Sequence, residues 1–339
     1  MKAVVTGGGG FLGGAVTRLL RQRGDSVRSF TRSRYPWLDE LGVEQSLGDL
    51  ANLADVERAV TGCDVVFHVA AKAGVGGRYS AFFDTNVTGT QNVLDAMWAT
   101  GVARLVYTST PSVVFDGRDQ AGIDERAPYP ARHHAHYPET KAIAERAVLA
   151  ANGPALATVA LRPHLIWGPR DNHLVPRVLA RARAGVLRRV GDGMNLVDST
   201  YIDNAADAHI LAADRLAPGA VIGGKAYFIS NGEPRPLFDL VNRILAAGGL
   251  PPVTKSVPRG VARAVGLGLE VAYGLLRLKG EPRMTRFLAD ELASAHWFDI
   301  TAARRDLGYE PKVSIDEGFV RLANWLREAP ISPRTGYPS

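Results

Sequence analysis

Cysteine is almost absent: the 339 residues include one, Cys63. A lone thiol closes no internal disulfide, which excludes a disulfide scaffold and fits a reducing cytoplasm. A one-sided charge is missing too, since 40 Lys and Arg against 34 Asp and Glu leave only +6. That excess is thinly spread and does not suggest a nucleic-acid partner. The densest basic stretch, Arg177, Arg181, Arg183, Arg188 and Arg189, has no aromatic residue interleaved and reads as a solvated helix face. No run of apolar residues is long enough, and free enough of charge, to predict a transmembrane span. Met1 to Val5 lead directly into a glycine turn, so no signal peptide is expected. Of what is present, a 46% hydrophobic and 22% charged composition is ordinary for a globular protein. A chain of about this length buries roughly three quarters of its unfolded surface and needs no metal or disulfide staple.

The first half alternates short apolar runs with helical patterns, the rhythm of βαβ units in a parallel, doubly wound α/β sheet. Strands are expected at 3–6, 26–31, 64–70, 104–108 and 156–161, with helices at 11–23, 86–100 and 140–151. After Pro163 that rhythm breaks, although a helix at 203–216 and one more strand at 226–230 remain readable. Ser314-Ile315-Asp316-Glu317 is a capping box that opens a last amphipathic helix. The segment 261–278 is apolar apart from Arg263, Glu270 and Arg277, which share one helix face. It reads either as a core helix or pocket wall, or as an interfacial helix that meets lipid or a partner protein.

Val4-Val5-Thr6-Gly7-Gly8-Gly9-Gly10-Phe11-Leu12-Gly13 is strand, glycine turn and helix in succession. Gly7 suits the tight turn, Gly10 lets the backbone approach a pyrophosphate, and Gly13 lets helix and strand pack closely. The pattern predicts a Rossmann-type dinucleotide-binding domain over 1–167, with returns near 200–230. A smaller, mostly C-terminal substrate lobe would cover 168–328, and 329–339 would be a frayed tail. The second strand ends in Arg32-Ser33-Arg34, where a dinucleotide with a free ribose 2′-hydroxyl would call for a carboxylate. A guanidinium there suits a 2′-phosphate, which points to NADP(H), with Arg32 as its main partner and Ser33 and Arg34 as helpers. Asp49 stands where a carboxylate can accept from the adenine amino group.

Tyr137 and Lys141 lie four apart on one face of a helix start. A free phenol, with pKa near ~10, is a poor acid–base at neutral pH, and an adjacent ammonium would bring it toward working range. Another strand ends in Thr108-Ser109-Thr110, whose hydroxyls can hold the same substrate oxygen. His133, His134, His136, His164 and His173 invite a metal reading. They lack the cysteines or His-Glu-x-x-His spacing of a zinc site, and no metal is expected.

In these motifs, together with residues 86–90, 161–163 and 201–204, the chain resembles the extended short-chain dehydrogenases/reductases. Within them it is similar to the 3β-hydroxysteroid dehydrogenase-like branch, from Met1 to about Leu326. Residues 70–74, 107–112, 161–168 and 228–234 resemble more narrowly the reductases of 2-alkyl-3-oxoalkanoates in bacterial long-chain olefin and β-lactone biosynthesis. The resemblance implies Tyr137 as acid–base, Lys141 on the nicotinamide ribose, and Thr110 as the hydroxyl partner, with Ser109 as the alternative. It places Gly7, Gly10, Phe11 and Leu12 on the pyrophosphate and Arg32 on the 2′-phosphate. Asp49 and Leu50 fall at the adenine, Ala70 and Ala71 along the cofactor, and Pro163 and Leu165 near the nicotinamide. It further implies NADPH-dependent reduction of a long-chain β-keto acid, for whose carboxylate the sequence offers Lys72 or Arg170 as a basic partner. A homodimer through the helices near Asn86 and Tyr137 is implied as well, as is contact with other enzymes of the pathway. A sterol dehydrogenase or nucleotide-sugar epimerase of the same fold, or a non-enzymatic NADP-sensing regulator, remains an alternative. Tyr137 and Lys141, both intact, weigh against the regulator.

Overall fold

In the first strand, β1 (Lys2–Thr6), successive side chains enter opposite cores, as the two-residue period of a strand requires. Ala3 and Val5 join one buried cluster and Val4 the other. The same division repeats along β2 (Ser26–Thr31), β4 (Val65–His68), β5 (Arg104–Thr108) and β6 (Ala157–Pro163), while β3 (Glu44–Leu47) and β7 (Lys225–Ile229) are the edge strands. These seven strands form one parallel sheet in the order β7-β6-β5-β4-β1-β2-β3. The order reverses between β1 and β4, the switch point at which doubly wound sheets bind ligands. Helix α1 (Phe11–Gln22) and helix α5 (Ile202–Arg215) pack together over one face. Helices α2 (Leu53–Val60), α3 (Gly89–Thr100) and α4 (His136–Ala150) cover the other. This computed structural model describes residues 1–74, 76–276 and 282–328. The tail 329–339 and the last two residues of the 261–278 segment lie outside them.

A second, four-stranded sheet runs Arg235–Pro236, Leu196–Val197, His296–Phe298 and Gln120–Ile123. Its outermost strand thus comes from the connection between β5 and α4. The carboxylate of Asp198 ties this sheet internally by accepting from the Phe298 amide at 2.8 Å. Helices Leu237–Ala247 and Ile315–Glu328 pack on each other beside it. Half of the expected capping box is present: the Glu317 amide donates to Ser314 Oγ at 3.2 Å. The Glu317 carboxylate turns instead to Arg321, one helical turn on.

The 226–230 strand is β7, at the edge of the main sheet. The helix expected at 140–151 starts one turn earlier, at His136, so Tyr137 already has helical geometry. The segment after 258 forms helix Arg259–Leu275. It is not a core helix: Val261, Val265, Val271 and Leu275 are exposed. Among the described residues no helix is long and apolar enough to cross a membrane.

Candidate active site

The turn from β1 into α1 leaves no room for side chains. Gly7 has φ +71°, and a Cβ there would stand 3.2 Å from Ala70. A Cβ on Gly13 would lie 2.2 Å from the Gly7 carbonyl oxygen, so only glycine lets α1 sit this close to the turn. Gly10 caps α1 without a side-chain acceptor, and no acid occupies the first turn. The first N–H groups and the positive end of the helix dipole are therefore available to an anion.

These elements open a cavity of about 580 Å³ at the carboxyl ends of β1, β4, β5 and β6. Gly7, Gly10, Phe11, Leu12 and Gly13 form one wall, with Arg32, Ser33, Asp49 and Leu50 at one end. Ala70 and Ala71 lie along it, and Ser109, Thr110, Tyr137, Lys141, Pro163 and Leu165 complete the lining. Apart from Arg34, every residue singled out from the sequence as catalytic or cofactor-binding therefore borders one space. Tyr35 and Thr85 also line it and carried no sequence signal. Of the arginines after β2, Arg34 is paired with Asp39 at 3.0 Å, whereas Arg32 faces the cavity. Leu165 has φ +39°, a backbone conformation that costs a non-glycine residue energy and is typically held at functional sites. Lys72 and Arg170, the expected carboxylate partners, do not line the cavity. Lys72 Nζ stands 5.1 Å over the Phe82 ring, and Arg170 is exposed.

The buried Lys141 donates to the Thr108 carbonyl at 2.6 Å, and its Nζ lies 4.0 Å over the Tyr107 ring. Burial lowers its pKa to about 7, with the Glu145 carboxylate opposing. Tyr137 departs from expectation. Burial pushes its phenol up to about 12, the Thr110 hydroxyl pulls it back, and Glu291 raises it further. The group that favours the phenolate is thus the Thr110 hydroxyl, because the Lys141 ammonium is committed to the Thr108 carbonyl and the Tyr107 ring. Thr110 Oγ1 is itself 3.1 Å from Ser112 Oγ, while Ser109 Oγ is buried without a partner. Glu291, on helix Arg286–Ala293, is raised by burial to about 7.

A buried relay connects the glycine turn with the start of α4. Thr6 Oγ1 accepts from the Val69 and Ala70 amides at 3.1 and 3.0 Å, so its proton points to His68 Nδ1 at 2.8 Å. His68 Nε2–H then donates to Thr90 Oγ1 at 3.0 Å, and Thr90 donates to the Asn86 carbonyl at 2.6 Å. Asn86 Nδ2 donates to Thr140 Oγ1 at 3.0 Å. Thr140 donates to the His136 and Tyr137 carbonyls at 2.8 and 3.1 Å. The pattern requires a neutral His68, and burial, assisted by the nearby Lys141, lowers its pKa to about 3. Residues 86–90 stood out in the sequence; His68 did not, because a histidine inside an apolar strand has no distinguishing spacing.

The remaining histidines disperse. His136 packs edge-on against Tyr79 at 5.3 Å, and His164 Nε2 bonds His296 Nδ1 at 2.7 Å. Among the described residues, no three His, Cys, Asp or Glu side chains converge as metal ligands.

A match to the 3-beta hydroxysteroid dehydrogenase/isomerase family spans residues 4–258. A 2-alkyl-3-oxoalkanoate reductase of Stenotrophomonas maltophilia (strain K279a) is 56% identical over 95% of this chain and 98% of its own length. One from Shewanella oneidensis is 53% identical over 94% and 85%. The solved structure of gox2253 superposes with a TM-score of 0.78 at 26% identity, covering 96% of this chain and 98% of that one. The chain therefore belongs to the 3-beta hydroxysteroid dehydrogenase/isomerase family, oxidoreductases of the extended short-chain type that act on CH–OH and ketone groups with a nicotinamide dinucleotide.

Proposed function

We propose that this protein reduces the 3-keto group of 2-alkyl-3-oxoalkanoates to the 3-hydroxy acid with NADPH. The observation that carries this reading is the shared cavity: the Tyr137, Thr110 and Lys141 side chains border the same space as the glycine turn and Arg32. The residues fit a dinucleotide, with uncapped N–H groups at the start of α1 and no room for a Cβ at Gly13. Two relatives above 50% identity that carry the reductase name support the substrate class. Arg32 supports NADPH over NADH, because it gives a 2′-phosphate a guanidinium partner where NAD enzymes place a carboxylate.

When bound, the nicotinamide supplies the hydride that adds to the ketone carbon. Tyr137 gives its phenolic proton to the ketone oxygen, and a phenol held near 12 stays protonated until that oxygen becomes basic. Thr110, with a single hydroxyl proton, donates to the ketone oxygen until Tyr137 protonates it and then to the resulting phenolate, with Ser109 as the reserve hydroxyl. Lys141, fixed by the Thr108 carbonyl, is set to hold the nicotinamide ribose. Asp49 and Leu50 would border the adenine, Ala70 and Ala71 the length of the cofactor, and Pro163 and Leu165 the nicotinamide.

We extend the reading to a homodimer through α3 and α4, which expose Trp98 and Ile143, and to the cytoplasm, where the buried thiol of Cys63 stays reduced. By resemblance, the hydroxy acid would feed long-chain olefin and β-lactone formation. Because β-keto acids decarboxylate, the test runs in reverse: nicotinamide absorbance is followed with 2-alkyl-3-hydroxyalkanoates, 3β-hydroxysterols and nucleotide sugars, with NADP⁺ or NAD⁺. Turnover of the hydroxy acid with NADP⁺ is expected. Turnover of sterols alone, or tightly bound NAD without hydroxy-acid oxidation, would replace the proposal. Arg32→Asp should reverse the coenzyme preference; an unchanged NADP⁺ preference would remove the 2′-phosphate assignment.

A further inference from the structure

Helix Arg259–Leu275 buries one side and leaves the other bare. Ala262 is buried, and a Cβ on Gly266 would stand 2.6 Å from the Thr285 carbonyl carbon, so this side rests on the entry to helix Arg286–Ala293. Opposite, Val261, Val265, Leu267, Val271, Leu275 and Leu276 are between 45% and 78% exposed. At 100° per residue these six fall within an arc of about 180°, centred away from Gly266. The helix's charges all lie on the other side and are already paired. Arg259 and Arg263 reach Asp290 at 3.0 and 3.8 Å, and Glu270 reaches Arg286 at 2.7 Å.

The surroundings are cationic. Strand Arg189–Val190 pairs with Ser256–Val257, which leads directly into the helix. Arg188, Arg189 and Lys255 are thereby gathered at its start. Arg181 donates to the Arg283 carbonyl at 3.1 Å, beside the segment on which the helix rests. Of the nearby acids, Asp290 and Glu270 are occupied by the pairs just named, and the exposed Asp192 beyond the strand accepts from the Met194 amide at 2.9 Å.

We propose that this helix seats in the interface of an anionic lipid bilayer, its bare arc entering the headgroup–acyl boundary while Arg188 and Lys255 meet lipid phosphates. Three features favour lipid over a protein partner. The arc is convex; it consists of short aliphatic side chains without the Trp, Tyr or Arg anchors on which protein interfaces concentrate their energy; and it offers no hydrogen-bonding group to fix a register. An amphipathic helix beside a basic patch is the combination that binds anionic membranes reversibly. The inference rests on this surface and not on the proposed substrate.

Flotation of the full chain with vesicles tests it directly. Binding is expected to phosphatidylcholine vesicles containing phosphatidylglycerol, to weaken in high salt, and to be weaker on phosphatidylcholine alone. The double variant Val265→Glu/Leu275→Glu, at exposed positions, should lower vesicle affinity by about tenfold or more with unchanged circular dichroism. Arg188→Glu/Lys255→Glu should remove most of the salt dependence. Failure of the parent chain to float, or equal flotation of parent and double variant, would overturn the proposal. So would a double variant that fails to float but also dissociates an oligomer in light scattering without vesicles, since that assigns the arc to a second copy of the chain.

Discussion

Tyr137 holds its proton more tightly than a free phenol does, because its surroundings act on it together. Burial and Glu291 hold the phenol up, and Thr110 opposes them. In the proposed reaction, Tyr137→Phe removes the proton donor but little volume. Turnover should fall by about 10²–10⁴-fold, with coenzyme affinity unchanged in a fluorescence titration; near-normal turnover would refute the assignment. Glu291 permits a finer test. Its carboxyl, raised by burial to about 7, is ionised at alkaline pH, where it opposes formation of the phenolate. Glu291→Gln should therefore move the alkaline rise of the oxidation rate to lower pH, and an unmoved limb would place Glu291 outside the tyrosine's field. The variant should also stabilise the fold at pH 8 but not at pH 4. A carboxyl with a raised folded-state pKa contributes stability below its unfolded pKa and loses it as pH rises through the folded value. Tyr137, Lys141 and Thr110 were legible because each sits in a local pattern. Glu291 was not, because only the tertiary fold brings its helix near Tyr137.

Among the elements, the β1–α1 junction was the most legible, since every glycine in it answers a local steric demand. A Cβ at Gly13 would press on the Gly7 carbonyl, a backbone atom with no rotamer to yield. Gly13→Ala should cost about 1–3 kcal/mol in stability and sharply reduce the rise in Tm produced by NADPH. An undiminished coenzyme shift would show that the turn can relax. The start of α4 was misplaced by one turn because the sequence offers no cap before it: its N-cap is Ala135, which has no side-chain acceptor. Tertiary bonds support that end instead, through Asn86 and Thr140. The relay also explains why residues 86–90 carry a recognisable pattern although they border little of the cavity. Asn86 is needed to join the segment after β4 to the first turn of α4. No periodicity in the sequence announces this, because amide hydrogen bonds between distant elements leave no local spacing.

For the whole molecule, alternation within each strand made the parallel sheet readable, while the pairing of Gln120–Ile123 with His296–Phe298 was not. Short strands joined across most of the chain obey no local rule. The same folding that closes this second sheet also buries histidines in both halves. His68 and His209 support the main sheet, with pKa values lowered by burial to about 3 and about 4. His164 and His296 pair beside the second sheet, and burial lowers both. Each binds fewer protons folded than unfolded between its two pKa values, so its stabilisation is complete above about pH 6.5 and is lost as pH falls. By pH 5, His68 and His209 should each have given up about 2 kcal/mol, and His164 and His296 act in the same direction. Asp198, raised by burial to about 6, and Glu291 oppose them by gaining stability as pH falls. Because the folded-state values of His68 and His209 both lie below pH 5, Tm should drop between pH 7 and pH 5, and His209→Gln, which keeps a donor for the Ala205 carbonyl, should flatten the drop. A Tm that holds or rises over that interval would mean that the histidines take up protons without unfolding the sheet, and that the buried relay from Thr6 to α4 tolerates a charged His68.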